Sequence, residues 1–194
     1  MSEESLGAAL SRFEVHLRED GAAIGHLLRP GLSHDELHAA LDSVFDNIPT
    51  EVATWFAWHD GAPEGPEDED WRDETWLPNR LHLLPITWAL EERAALLELS
   101  DPGLAWDSGT FQPYWLPIVG SERWWLVVDM RGRDSAPVHY LFIEDGDGRE
   151  VAEPSILSMV QAWNTAFETG RYVWDRVAGY WQDYDVDPAH PRVT

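Results

Sequence analysis

The residue types in this chain that could do chemistry are histidine and carboxylate. It carries 8 His and 36 Asp and Glu against 13 cations, all of them arginine, and it has no cysteine. A thiolate nucleophile, a thiolate metal site and a disulfide framework are therefore excluded, as is a Schiff-base or P-loop lysine. His34 and His38 stand four apart, the spacing that sets two imidazoles on one helical face as metal ligands. Their neighbours argue otherwise. The zincin pattern puts glutamate directly after the first histidine, whereas Asp35 stands there, and Glu36 is claimed by a capping box with Ser33. No third ligand follows nearby, so no metal is expected. Asp145-Gly146-Asp147-Gly148 and Asp183-Tyr184-Asp185-Val186-Asp187 suggest calcium loops until positions are counted. From Asp145 the last ligand position falls on Ile156, and from Asp183 the turning glycine is replaced by Pro188. A hairpin turn and an acidic tail fit these segments better.

No serine sits in a G-x-S-x-G elbow, and Asp107-Ser108-Gly109 has no histidine placed beside it by sequence. Carboxylate pairs are numerous, but they cluster in polar loops where water keeps them ordinary, unlike the apolar pocket that tunes a glycosidase acid. The chain is thus expected to be non-enzymatic and to need no cofactor. A carboxylate-based hydrolase or carbohydrate-binding protein is the alternative from another class, since the 12 Trp offer faces for pyranose rings. Most of them fall on core stripes instead. Trp55, Trp163 and one of Trp124 and Trp125 read as packing. The other of that pair faces the opposite side of its strand, and is buried only if helices cover both sheet faces.

The densest charge lies in residues 62–75, Ala-Pro-Glu-Gly-Pro-Glu-Asp-Glu-Asp-Trp-Arg-Asp-Glu-Thr, too polar and too rich in Pro and Gly for an element of its own. It reads as an exposed acidic loop. Trp71 and Trp76, within and beside it, are ringed by Glu64, Glu67, Asp68, Glu69, Asp70, Asp73 and Glu74, the composition of an interface anchor with a charged rim. A second reading folds either ring back to clamp the loop on the core. With a net charge of −23, phosphate contacts are disfavoured and neither nucleic acid nor an anionic membrane is an expected partner. A basic protein is favoured, because complementary charge raises association rates by about 10 to 10³ at low salt. Solubility or salt adaptation is the plainer reading of the same charge.

The elements that must position these residues are legible from periodicity. Leu6, Leu10, Phe13 and Leu17 predict a helix over 4–19 stopped by Gly21, and Ser33 with Glu36 caps a second whose stripe is Leu37, Leu41, Val44 and Phe45. Ile48 to Gly61 reads as a short helix started by Pro49 and closed by Gly61, with Val52, Trp55, Phe56 and His59 on one face. A strand is predicted over 80–86, then a helix capped by Thr87 with Leu90, Ala94 and Leu97 on one face. Residues 101–113 read as loop. Strands are predicted at 115–118, 123–130, 138–143 and 149–152, with turn chemistry at 144–148, and a last helix runs from Ser155 to Glu168. Beyond Asp175, Tyr180, Trp181 and Tyr184 predict an acidic, aromatic tail that packs on the body before fraying near Pro188. At 194 residues and 44% hydrophobic content, one domain over 1–194 is expected, α+β in class. Its sheet is mostly antiparallel, of about four to six strands, packed by N- and C-terminal helices. The acidic start, Met-Ser-Glu-Glu-Ser, is unlike a secretory signal and no apolar run spans a bilayer, so a soluble cytoplasmic protein is expected.

The Ile48–Gly61 helix resembles the one with an "LP" start and an "NG" or "DG" end in the SUKH superfamily, which includes fungal cell-wall-assembly regulators and bacterial polymorphic-toxin immunity proteins. Similar segments follow in order: Trp115-Leu116-Pro117-Ile118, a strand ending Val127-Val128-Asp129, and a Ser155-led helix ending Thr169-Gly170-Arg171-Tyr172. The resemblance spans residues 37–175; the acidic loop and the extension over 176–194 depart from it. It implies a protein-binding module, foremost an immunity protein that neutralises a cognate nuclease-type toxin, with carboxylates standing where phosphates would. A regulatory or scaffold role in cell-wall synthesis is the alternative within the same family.

Overall fold

The computed structural model describes residues 4–19, 22–63, 75–100, 111–121, 124–142 and 151–184. Its elements in chain order are helices α1 (Leu6–Glu19), α2 (Ile24–Leu27), α3 (His34–Leu41) and α4 (Thr50–Trp58), a 3-10 turn (Pro78–Arg80), strand β1 (His82–Leu83), helix α5 (Ile86–Leu99), strands β2 (Trp115–Gly120), β3 (Trp124–Asp129), β4 (Val138–Phe142) and β5 (Val151–Glu153), helix α6 (Ile156–Glu168), and strands β6 (Tyr172–Asp175) and β7 (Tyr180–Asp183). The fold is α+β. Strands β1 to β5 form one antiparallel sheet in sequence order, and β6 and β7 form a separate antiparallel pair.

Strand β2 is buried along its whole length, as a central strand covered on both faces must be. It nonetheless contains Pro117, which cannot donate to the ladder. The register against β3 shifts between Pro117 and Val119, so a bulge absorbs the missing donor. Trp125 on β3 is buried and hydrogen-bonded to Glu92 of α5, whereas Trp124 points to the other face, toward α1 and α6. Helices therefore lie on both sides of the sheet, and Trp125 is buried while Trp124 is half-buried. Burial raises the Glu92 carboxyl above its ordinary range, against the lowering effect of the Trp125 hydrogen bond.

The local readings fare unevenly. Ser33 accepts from the Glu36 amide while the Glu36 carboxylate accepts from the Ser33 amide, completing the capping box. The stripe after it is shorter than the sequence suggests, since α3 stops at Leu41. Helix α4 stops at Trp58: His59 is extended and bridges to Pro30, so it leaves the helical face assigned to it. Gly61 does adopt positive φ, +69°, but three residues beyond the helix end. What requires glycine there is close approach, because a Cβ would overlap the backbone of Leu83, Leu84 and Pro85. The predicted strand over 80–86 shrinks to His82–Leu83, bounded by a left-handed Arg80 and by Pro85, the N-cap of α5. Thr87 is exposed and caps nothing, and the buried face of α5 is Ile86, Ala89 and Leu96, with Ala94 exposed.

The stretch after Gly170 is a hairpin that packs on the body through the buried Trp181, while the expected fraying near Pro188 lies outside the described residues. Asp175 closes its turn by accepting from the amides of Val177 and Ala178, both at 2.9 Å, and Gly179 takes φ +73°. These backbone hydrogen bonds hold the Asp175 carboxyl below its ordinary range. Asp-Arg-Val-Ala-Gly between Tyr-Val-Trp-Asp and Tyr-Trp-Gln-Asp is the signal for it, and sequence reasoning passed over it. Among the described residues no helix is long and apolar enough to cross a membrane.

Candidate functional site

Two carboxylates at the ends of α4 organise the molecule around it. Asp60, just past the helix, is buried, yet its Oδ1 accepts from the Ile86 amide at 2.8 Å and its Oδ2 pairs with Arg29 at 3.0 Å. It is the N-terminal cap of α5, supplied from 26 residues away in the sequence. Glu51, in the first turn, performs the same service for α6. Its Oε2 accepts from Ala136 at 2.8 Å and from Ile156 at 3.1 Å, and its Oε1 accepts from Leu157 at 3.3 Å. Ser155 adds a local cap to the same helix end. Sequence reasoning missed both carboxylates, since each partner lies far along the chain.

Asp60 also fixes the start of the acidic segment. Immediately after it, the Gly61 carbonyl accepts from the Arg29 amide and the Ala62 amide donates to the Leu83 carbonyl, both at 2.9 Å. On the far side Thr75 is buried, and the Trp76 carbonyl accepts from the Trp181 indole at 2.9 Å. Residues 62 and 75 are thus both anchored in the body. Of the residues proposed for partner binding, Glu64, Glu67, Asp68, Glu69, Asp70, Trp71, Asp73 and Glu74 lie outside the described residues. Trp76 is described: it is half-buried, edge-on to His82 at 5.4 Å, with the Arg80 guanidinium 5.5 Å from its ring centre. This is the clamping arrangement, with Trp76 fastening the segment to β1 and to the β6–β7 hairpin.

Other candidate groups resolve into structural roles. The His34 and His38 rings lie 4.1 Å apart, and His38 Nδ1 is 2.9 Å from Asp42 Oδ1. Among the described residues no group of three or more His, Asp or Glu is arranged to hold a metal. Asp183 pairs with Arg171 through both carboxylate oxygens, at 2.7 and 3.1 Å. The segments 101–110 and 143–150, with Ser108 and the Asp145–Gly148 turn, lie outside the described residues.

Asp129, at the end of β3, is buried and held by Arg131 through three guanidinium contacts and the Arg131 amide, the shortest 2.6 Å. Burial alone would raise its carboxyl; the Arg131 hydrogen bonds and charge, with a smaller contribution from His139, outweigh it and hold the group below the aspartate range. Because the folded value is the lower one, the pair's stabilisation is fully present above the unfolded aspartate value. It is lost as pH falls through the folded one. Asp129→Asn is expected to flatten the acid limb of a stability profile below about pH 4, read from urea midpoints across pH, while neutral and alkaline limbs keep their shape.

On the α1/α6 side of the sheet lies a cavity of about 150 Å³. Its walls are rings: Phe13 from α1, Trp163 and Phe167 from α6, Trp124 and Tyr140 from the sheet, and Tyr172 from β6. Phe13 sits 5.2 Å from Trp163 and 5.9 Å from Phe167, and Trp124 sits 5.1 Å from Tyr140. The rim is Leu77 to Leu81, a loop closed by a 2.7 Å bond from the Leu77 amide to the Leu81 carbonyl. Within it both Asn79 and Arg80 are left-handed, at φ 65° and 57°. Asparagine tolerates that region; arginine does so at a cost. Phe13, Trp163 and Phe167 were legible as core residues, but their convergence with Trp124, Tyr140 and Tyr172 on one pocket depends on pairings between distant segments. No protein-family model matches the chain, and no curated protein matches it at significance.

Proposed function

We propose that the chain is a non-enzymatic protein-binding module of SUKH type, acting as an immunity protein that neutralises a basic, nuclease-type toxin through its acidic segment 64–74. The observation that carries this reading is the double anchoring of that segment, by Asp60, Gly61 and Ala62 on one side and by Thr75 and Trp76 on the other. A segment this acidic gains no stability from its own charge, since like charges repel. Fixing both of its flanks to the body serves presentation. The described carboxylates withdrawn from water support the same reading. Asp60 and Glu51 receive helix amides and Asp129 receives Arg131, so these three buried or half-buried carboxylates are already satisfied within the fold. A basic partner meets the acidic segment without having to pair them.

Co-expression tests the reading. The chain is expected to restore growth to cells expressing its cognate toxin, and to co-purify with that toxin in a stoichiometric complex. Toxicity undiminished by a well-expressed, folded chain would contradict the immunity role.

A further inference from the structure

The binding role just described does not call on the aromatic pocket. The pocket is partly open to solvent, since Asn79 and Tyr140 on its lining are exposed and Trp124, Trp163 and Tyr172 are half-buried. At about 150 Å³ it matches the size at which an apolar cavity takes up one benzene-sized ring. Its walls suit an aromatic guest, because Phe13, Trp124, Trp163 and Phe167 offer both ring faces and ring edges. One end is polar. There the Asn79 side-chain amide donates to the Tyr172 hydroxyl at 3.4 Å, a long bond that a guest can replace at little cost.

The loop that presents Asn79 is the most strained backbone among the described residues, two consecutive non-glycine residues at positive φ. Such strain persists only where the surroundings over-determine it, and it concentrates at ligand clamps. Here the Leu77–Leu81 bond and the Arg80–Trp76 contact hold it.

We propose that this cavity binds a single phenolic ring, its body held among Phe13, Trp124, Trp163 and Phe167 and its hydroxyl bonded to the Asn79–Tyr172 pair. The test uses the full chain with methyl-labelled leucine and isoleucine, titrated with p-cresol and with toluene. Saturable shifts are expected at Leu77, Leu81 and Leu126, with p-cresol the tighter ligand. Asn79→Gly removes the amide and at the same time relaxes the left-handed strain, so it keeps the fold. It is expected to weaken p-cresol roughly three- to tenfold, the worth of one neutral hydrogen bond, while toluene is unaffected. Leu126→Trp, which fills the void from the sheet side, is expected to abolish both. N-acetyl-tyrosinamide distinguishes the source: binding identifies a tyrosine side chain as an acceptable guest, and exclusion with p-cresol bound identifies a free phenol. Absence of saturable shifts at these leucines with millimolar p-cresol, or equal loss of p-cresol and toluene in Asn79→Gly, would overturn the proposal.

Discussion

Asp60→Ala is expected to cost about 2–3 kcal/mol of stability, as a charge-assisted cap lost from α5 and a buried partner removed from Arg29. The upper range for a broken buried ion pair does not apply, because the Arg29 side chain is 44% exposed and water can hydrate it. Asp60→Asn keeps an oxygen for the Ile86 amide and loses the charge, so about 1 kcal/mol is expected. Urea unfolding of the three proteins measures both. The alanine variant should also loosen the Gly61–Ala62 anchor, seen as faster amide exchange at Ala62 than the global change explains. Equal destabilisation by Asn and Ala would mean that the Arg29 pairing, and not the helix cap, is what Asp60 contributes.

Glu51→Ala is expected to cost a comparable 2–3 kcal/mol, because three backbone N–H groups lose one carboxylate. Ser155 still caps α6 from its own end, which keeps the loss from being larger. Glu51→Gln is the informative companion. Its amide oxygen can serve Ala136 and Ile156, but its NH₂ would face the Leu157 N–H, donor against donor. About half the alanine effect is expected, measured in the same urea series. Since α5 and α6 lie on opposite faces of the sheet, the Asp60 and Glu51 losses should add. A shortfall in the double variant would indicate that α4 itself has shifted.

How much of this was legible depended on range along the chain. The Ser33–Glu36 box and the buried stripe of α1 were readable because partners sit within one or two turns. The antiparallel sheet was readable because short strand-forming runs alternate with turn residues. Nothing local marked Asp60 or Glu51, since their partners lie 26 and 105 residues away. Thr87 was an attractive cap by type and spacing, but a buried carboxylate arriving from elsewhere displaced it. The β6–β7 hairpin was a different kind of miss: its Asp175 turn and Gly179 were local signals outweighed by the acidic composition of the tail. Trp76 had two readings from sequence, and its contacts with His82, Arg80 and Trp181 agree with the clamp.

Helix α4 was the clearest feature of the sequence, and its role is to set positions. Its ends hold α5 and α6, and the residues after it pin the chain where the acidic segment departs. We propose that the segment beyond meets a basic protein through charge. The most direct measurement is the association rate of the chain with a toxin it protects against, taken across ionic strength. Native chain is compared with a variant in which Glu67, Asp68, Glu69 and Asp70 are reversed to lysine. Steered association should slow as salt rises, and the reversal should slow it at low salt and flatten that dependence. Rates unchanged by the reversal at every salt concentration would contradict the account and move the binding surface elsewhere on the protein.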